Sequence, residues 1–405
     1  MIQNNIVGTI EQFMHEYYIP KVVEGLIGID ERVLDEISDK IAQRVRRGGC
    51  ILAFGNGGSD AIAESFILSL EQRINPRFQF DTYSNPRPGE ASTATGIDLI
   101  FNRRILRSAR QGDLVVLVSA SGDSENINRA SIYCKASSVE TISVSGNGKI
   151  SYGPAKSDCP IIVPLQDQQI IEDVTLGILY LLGEVTASKV NGFEYDIAGL
   201  KKLYVKNFNT EAGLLSARRI DLLAQDVVNA YKTGHQVRID GLNSGLLLIA
   251  AAHMQHNLKW DAFQGVIKRP PNRVSSGIPQ YHFSGVSNDG GDGYNYAMEI
   301  EDNYERDDVE VVFGRHMGSL EAQTLSLAAQ RKGMKIHPFF FCEESEYVVS
   351  NVAQSILHIA GRVINAYLLS ESNPAEFGSR LKHDLAMLRQ KRETMRNLAR
   401  TYESH

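Results

Sequence analysis

Phe54-Gly55-Asn56-Gly57-Gly58-Ser59 decides the reading of this 405-residue chain. It follows the apolar run Cys50-Ile51-Leu52-Ala53 and precedes a helix-compatible segment from Asp60 to Gln72. A buried strand that turns on glycines into a helix aims several backbone N–H groups at one point. The helix N-terminus adds partial positive charge there. Glycine lets the backbone approach a bound group closely, and Ser59 supplies a hydroxyl or caps the helix. The pattern is that of an anion site, usually for phosphate. Taken alone, it also suits a tightly packed turn with no ligand.

A second turn of the same kind lies downstream. Asp113 to Val118 (DLVVLV) reads as a buried parallel strand. Ser119-Ala120-Ser121-Gly122-Asp123-Ser124 follows, and then a helix from Glu125 to Lys135. Three hydroxyls beside backbone amides form a natural phosphate cradle, although a serine-rich N-cap would look the same. Two such turns in one α/β unit favour the cradle, because ligands of open α/β sheets sit at the carboxyl ends of strands.

GNGGS followed about sixty residues later by S-x-S-G-x-S resembles the sugar isomerase (SIS) domain, above all that of bacterial phosphoheptose isomerases. The resemblance covers roughly residues 35 to 190. It includes Phe101 to Asp113, Thr141 to Lys149 and the pair Val163-Pro164. It implies phosphate ligands at Ser119, Ser121 and Ser124, with Asn56, Gly57, Gly58 and Ser59 lining the sugar site. The chain also departs from the family. The helix after GNGGS carries a His and a Glu in those isomerases, at places that fall here on about Ser65 and Ser69. Their last helix carries a Gln and a His, where Gln169 to Leu182 offers Glu172 and Asp173. No histidine occurs between His15 and His235.

The length suits two such units. Asp308 to Phe313 (DVEVVF) reads as a strand and aligns with Asp113 to Val118 at a shift of 195 residues, which puts Ser319 on Ser124. Val237 to Gly245 echoes Ile51 to Ser59, and Lys335 to Phe339 echoes Glu140 to Val144. The serine loop has become Gly314-Arg315-His316 in this diverged copy. The expected fold is therefore α/β, with two tandem SIS-type units. Each is a mostly parallel five-stranded sheet flanked by helices in three layers. The boundaries drawn are 1–195, 196–372 and a C-terminal helix over 373–405.

The second half holds most of the histidines. His253 and His256 share one face of the helix after Asn243-Ser244-Gly245. Gln354 and His358 are four apart on a helix from Glu346 to Leu369, where the related isomerases keep their Gln and His. Aldose–ketose isomerisation moves a proton between two carbons through an enediol. It needs a base poised near neutral pH and an acid at the carbonyl oxygen. Glu172, His256 and His358 are the candidates, with Glu64 and Glu90 as further carboxylates. Packing inside apolar helices accounts equally for the histidines. No metal ligand set is assigned, and a divalent metal such as zinc stays open.

Composition sets the bounds. The net charge of −6 gives no overall basic field for nucleic acid. The four cysteines form no CxxC pair and fit reduced thiols in a cytoplasm. No apolar run approaches the ~20 residues that span a bilayer. The first residues lack the pattern of a signal peptide. The gly- and asp-rich stretch Pro270 to Asp307 reads as a long loop with one strand, Tyr281 to Val286. Its Asp289, Asp292 and Asp302 lack calcium-loop spacing and read as solvated turn residues. The functional expectation is a phosphosugar isomerase acting on a heptose or hexose phosphate. By the family resemblance it is a homodimer or homotetramer. The alternatives are a non-catalytic phosphosugar sensor or assembly protein, or another SIS reaction such as amino-sugar isomerisation or ether cleavage.

Overall fold

The computed structural model describes residues 2–74, 80–82, 99–242, 246–247, 249–250, 274–276, 300, 303–315, 320–342, 345–370 and 376–382. They divide into two compact units. Residues 21–209 form one, here the inner unit. The described residues up to Pro20 join those from Thr210 on in the other, the outer unit. The sequence reading draws its first unit as 1–195. The contacts differ from it at both ends, grouping the N-terminal residues with the later half and dividing the chain at 209 instead of 195.

The chain starts with α1 (Ile2–Gln12), a π-helical stretch (Phe13–Tyr18), α2 (Ile19–Ile27) and α3 (Glu31–Arg46). In the π stretch, the Ile19 N–H donates to the Met14 carbonyl five residues back. Pro20 follows, which has no N–H and whose ring clashes with a carbonyl one α-turn behind it. Widening the preceding turn avoids that clash. Asp30 caps α3 by accepting from the Arg32 N–H at 2.9 Å.

In the inner unit, β1 (Ile51–Phe54) leads into α4 (Gly58–Arg73). Then come β2 (Phe80–Thr82), α5 (Ile100–Ser108), β3 (Leu114–Ser119), α6 (Glu125–Ala136), β4 (Glu140–Ser145), β5 (Cys159–Ile162) and α7 (Gln168–Asn191). All pairs are parallel, in the order β2-β1-β3-β4-β5. Every residue of β1 and β3 is buried. This is why they read as unbroken apolar runs rather than alternating ones. One sheet face packs Leu52, Phe54, Val115 and Leu117 against Phe101 and Ile105 of α5 and Ile127, Ala130 and Cys134 of α6. Helices α3 and α4 pack with α7. The expected three-layer parallel sheet is present, with five strands.

A helix α8 (Ile197–Gly213) contains the division at 209, and α9 (Ala217–Thr233) follows. The break between them falls at Leu214 to Ser216, directly after Gly213. The outer sheet comprises β6 (Val237–Gly241), β7 (Val274–Ser276), β8 (Val309–Gly314) and β9 (Lys335–Phe340), with α10 (Leu320–Lys332) between the last two. It is parallel, in the order β7-β6-β8-β9 among the described residues. The repeat is kept to the residue. Ile51 pairs with Leu114 as Val237 pairs with Val309, and Leu114 pairs with Glu140 as Val309 pairs with Lys335. Helix α11 (Glu346–Ser370) packs on α9, and α12 (Phe377–Leu381) packs on α11. The buried Arg362 of α11 sets its guanidinium 5.8 Å from the Phe13 ring and 5.5 Å from the Tyr18 ring. Those cation–π contacts tie the N-terminal residues into the outer unit. The expected strand at Tyr281–Val286 and most of the expected C-terminal helix lie outside the described residues.

The two sheets differ chemically at matching positions. Where β1 and β3 have Leu52, Phe54 and Val115, the outer sheet has Arg238, Asp240 and Glu310, each fully or almost fully buried. Arg238 Nε donates to Asp240 Oδ2 at 2.6 Å and lies 3.4 Å from Glu310 Oε2. Its guanidinium stands over the Tyr304 ring at 5.2 Å. Burial and the neighbouring Asp240 push the Glu310 carboxyl well above the usual range. Burial disfavours the charged guanidinium, but Asp240 and Glu310 outweigh it and keep Arg238 charged. Asp240→Ala is expected to cost about 3–5 kcal/mol by leaving a buried charge with a poorer partner. Arg238→Leu, Asp240→Phe and Glu310→Val together restore the inner unit's residues. They are expected to be neutral or stabilising by about 1–4 kcal/mol. Urea unfolding of the full chain measures both.

Candidate anion and sugar-phosphate site

Three loops meet at the carboxyl ends of β1, β3 and β4, covering residues 55–59, 119–124 and 146–149. In the first, Gly57 adopts φ 55° and ψ −118°, a conformation that favours glycine, and stands as the N-cap of α4. That helix therefore starts without a capping side chain. In the second, Ser119 Oγ accepts from the Gly122 N–H at 3.1 Å and donates to Ser124 Oγ at 3.3 Å. Ser121 Oγ accepts from the Asp123 N–H at 3.1 Å. Ser124 is the N-cap of α6, yet its hydroxyl makes no capping hydrogen bond. Helix α7 shows the contrast, since Asp167 caps it by accepting from the N–H groups of Gln169 and Ile170.

The loops are tied together. Ser59 Oγ accepts from the Ala120 N–H at 3.3 Å. Asn56 and Asn126 exchange two side-chain hydrogen bonds, each 2.8 Å long. The third loop is held by the Lys149 N–H, which donates to Asp123 Oδ1 at 3.1 Å, and by the Ile150 N–H, which donates to the Gly122 carbonyl at 3.0 Å. Buried hydroxyl pairs support it from β4: Ser145 with Ser151 at 3.2 Å and Ser143 with Ser157 at 2.6 Å. The N–H groups of Gly57, Gly58 and Ser121 donate to no protein group among the described residues. Two helix starts whose own N-cap residues supply no capping side chain, with three serine hydroxyls and these amides between them, can receive an oxyanion.

The structure brings together the residues expected at the cradle. Ser59 and Ser119 are buried, Gly58 is buried, Ser121 and Ser124 are half-buried, and Asn56 and Gly57 are exposed. Asn126 was not foreseen. Its signal was an Asn in the first turn of a helix, a residue that prefers to bond nearby backbone. Ser65 and Ser69, at the places of the family's His and Glu, are buried, and Ser69 Oγ donates to the Phe66 carbonyl of its own helix at 2.8 Å. Glu172 is half-buried on α7. His358 is fully buried on α11 of the outer unit, beside the buried Gln354. His253, His256, Glu90, Asp289, Asp292 and Asp302 lie outside the described residues. Among the described residues no group of three or more His, Cys, Asp or Glu could hold a metal ion. No described helix is long and apolar enough to cross a membrane. None of the four cysteines forms a disulfide.

A parallel sheet with two such turns at its strand ends is the architecture of the SIS domain, and comparison with known proteins agrees. The family model for the SIS domain matches residues 17–146. The phosphoheptose isomerase of Geotalea daltonii is 30% identical over 179 residues, which is 40% of this chain and 90% of that protein. The phosphoheptose isomerase of Helicobacter hepaticus is 28% identical over 172 residues, or 38% of this chain and 82% of that protein. The solved C-terminal domain of glucosamine-fructose-6-phosphate aminotransferase from Francisella tularensis shares the fold along the chain. Its TM-score is 0.56 at 13% identity, covering 89% of this chain and 96% of that one. The chain belongs to the SIS family of phosphosugar isomerases, with phosphoheptose isomerases as its homologues over the first part of its length.

Glu64 on α4 is half-buried and forms no ion pair or hydrogen bond among the described residues. Burial raises its pKa above the ordinary 4.5. The folded state thus holds this proton more tightly than the unfolded chain does. The penalty is absent well below pH 4.5 and grows as pH rises through the folded value. Glu64→Gln should raise the melting temperature at pH 7 and leave it unchanged at pH 3.5, as thermal melts at both pH values will show.

Proposed function

We propose that the inner unit binds the phosphate of a phosphosugar and that the protein interconverts the aldose and ketose forms of a heptose or hexose phosphate. The observation that carries this reading is the convergence of two helix starts, whose own N-cap residues make no side-chain cap, on one set of serine hydroxyls. The name shared by the sequence relatives, phosphoheptose isomerase, supports the reaction class. In this reading Ser119, Ser121 and Ser124 hold the phosphate, and Asn56 and the Gly57–Ser59 turn face the sugar. The proton passes between two carbons through an enediol, with Glu172, His256 and His358 as the acid and base candidates. The working form is a homodimer or homotetramer in the cytoplasm, to which the free thiols are suited.

A second reading is binding without conversion, as in a sensor or assembly protein. It is favoured by Ser65 and Ser69, which stand buried where the family carries its His and Glu. Incubating the protein with C5 to C7 sugar phosphates separates the two readings by NMR. Appearance of the partner ketose or aldose supports the isomerase. Thermal stabilisation without turnover supports the sensor, and a changed amino sugar or a cleaved ether identifies another SIS reaction. Ser121→Ala removes a hydrogen bond to a charged group, worth roughly 1.5–3 kcal/mol. Phosphosugar affinity should fall by about one to two powers of ten in calorimetric titration, with the fold intact. If proton transfer is the reaction, Glu172→Gln, His256→Ala or His358→Ala should lower turnover by about 10²–10⁴ while phosphate binding persists. Unchanged rates in all three would remove them from the mechanism.

A further inference from the structure

The Ser124 hydroxyl meets that of Ser119 and not the backbone of its own helix, where another side chain receives an N–H of the first turn. In most helices the N-cap side chain accepts from the N–H of the second or third helical residue. In α6 the third-residue N–H, that of Ile127, donates instead to Asn126 Oδ1 at 3.0 Å. Asn126 is 8% exposed, so this donor and acceptor meet away from water. A backbone N–H can only donate, so it fixes which end of the Asn126 amide is oxygen. That oxygen also receives Asn56 Nδ2, and Asn126 Nδ2 donates to Asn56 Oδ1. One backbone donor in α6 thus sets the polarity of both carboxamides, including that of the exposed Asn56 at the mouth of the first loop.

The outer unit serves as an internal comparison. At the position matching Asn56 it has Leu242, buried in an apolar cluster with Leu325 and Ala328 of α10. At the position of Ser119 it has Gly314. The asparagine and the serine are therefore absent from the same unit. We propose that Asn126 is a positioning residue: it takes over the capping of α6, which frees the Ser124 hydroxyl for a bound phosphate, and it orients Asn56 toward the sugar. This rests on the phosphosugar reading given above.

The test crosses Asn126→Ala with Ser124→Ala and reads two quantities in the full chain. One is affinity for inorganic phosphate and for fructose 6-phosphate by calorimetry, and the other is melting temperature without ligand. In the otherwise unaltered protein, Ser124→Ala should weaken phosphate binding about tenfold, the loss of one hydrogen bond to a charged group, and leave the melting temperature unchanged. With Asn126→Ala present, Ser124 turns to cap its own helix. Ser124→Ala should then lower the melting temperature by about 2–4 °C and cost no further phosphate affinity. Asn56→Ala should weaken fructose 6-phosphate and leave inorganic phosphate unaffected. The proposal is overturned if Ser124→Ala lowers the melting temperature equally with and without Asn126, or if the two affinity losses simply add. Should the unaltered protein bind neither phosphate compound, the phosphosugar reading fails. The melting temperatures then still decide whether Asn126 caps α6 in place of Ser124.

Discussion

The site depends on backbone packed against backbone. A Cβ at Gly148 would stand 2.3 Å from the Gly122 carbonyl carbon, and one at Gly146 would stand 2.3 Å from the Ala120 carbonyl oxygen. No side chain fits between the second and third loops, and no small adjustment of a side chain would make room. Gly122, at φ 69°, adds a conformation that other residues adopt at a cost. The serine loop is therefore held from behind by the third loop and from the side by Ser59 and Asn56. Loops built this way are held in place by the protein's own backbone.

The two units have diverged in opposite directions from one plan. The inner unit keeps its sheet apolar and places its polar groups in the loops at the strand ends. The outer unit places an arginine and two acids inside the sheet, at Arg238, Asp240 and Glu310, and starts its first loop with the buried Leu242. Arg315 follows β8 where Ala120 follows β3, and its guanidinium lies 3.6 Å from Glu346 at the start of α11. Polar groups thus gather in the loops at the strand ends of one sheet and in the interior of the other.

Much of this was legible in the sequence because it rests on local signals. Unbroken apolar runs such as Leu114 to Val118 announce strands buried on both faces, and glycine-rich turns announce the helices that follow. The shift of 195 residues between Asp113 and Asp308 reappears as identical strand register. The charged cluster was not legible. In Val237-Arg238-Ile239-Asp240 the alternation suggests one wet face, and only the tertiary packing buries both. Asn126 was missed for a related reason, since its partner Asn56 lies 70 residues away. The early end of the first unit was hidden too. Nothing local in Phe13 or Tyr18 points to Arg362.

That last contact gives the chain an order of assembly. Phe13 and Tyr18 are translated well before the arginine they face, which lies 344 residues behind Tyr18. At about 5–20 residues per second, the wait is roughly 20–70 s. The whole inner unit is translated within that interval and can close its own sheet before Arg362 is made. The inner unit is thus an insertion in the covalent path of the outer one. Phe13 and Tyr18 therefore receive their cationic partner only after the inner unit has been made.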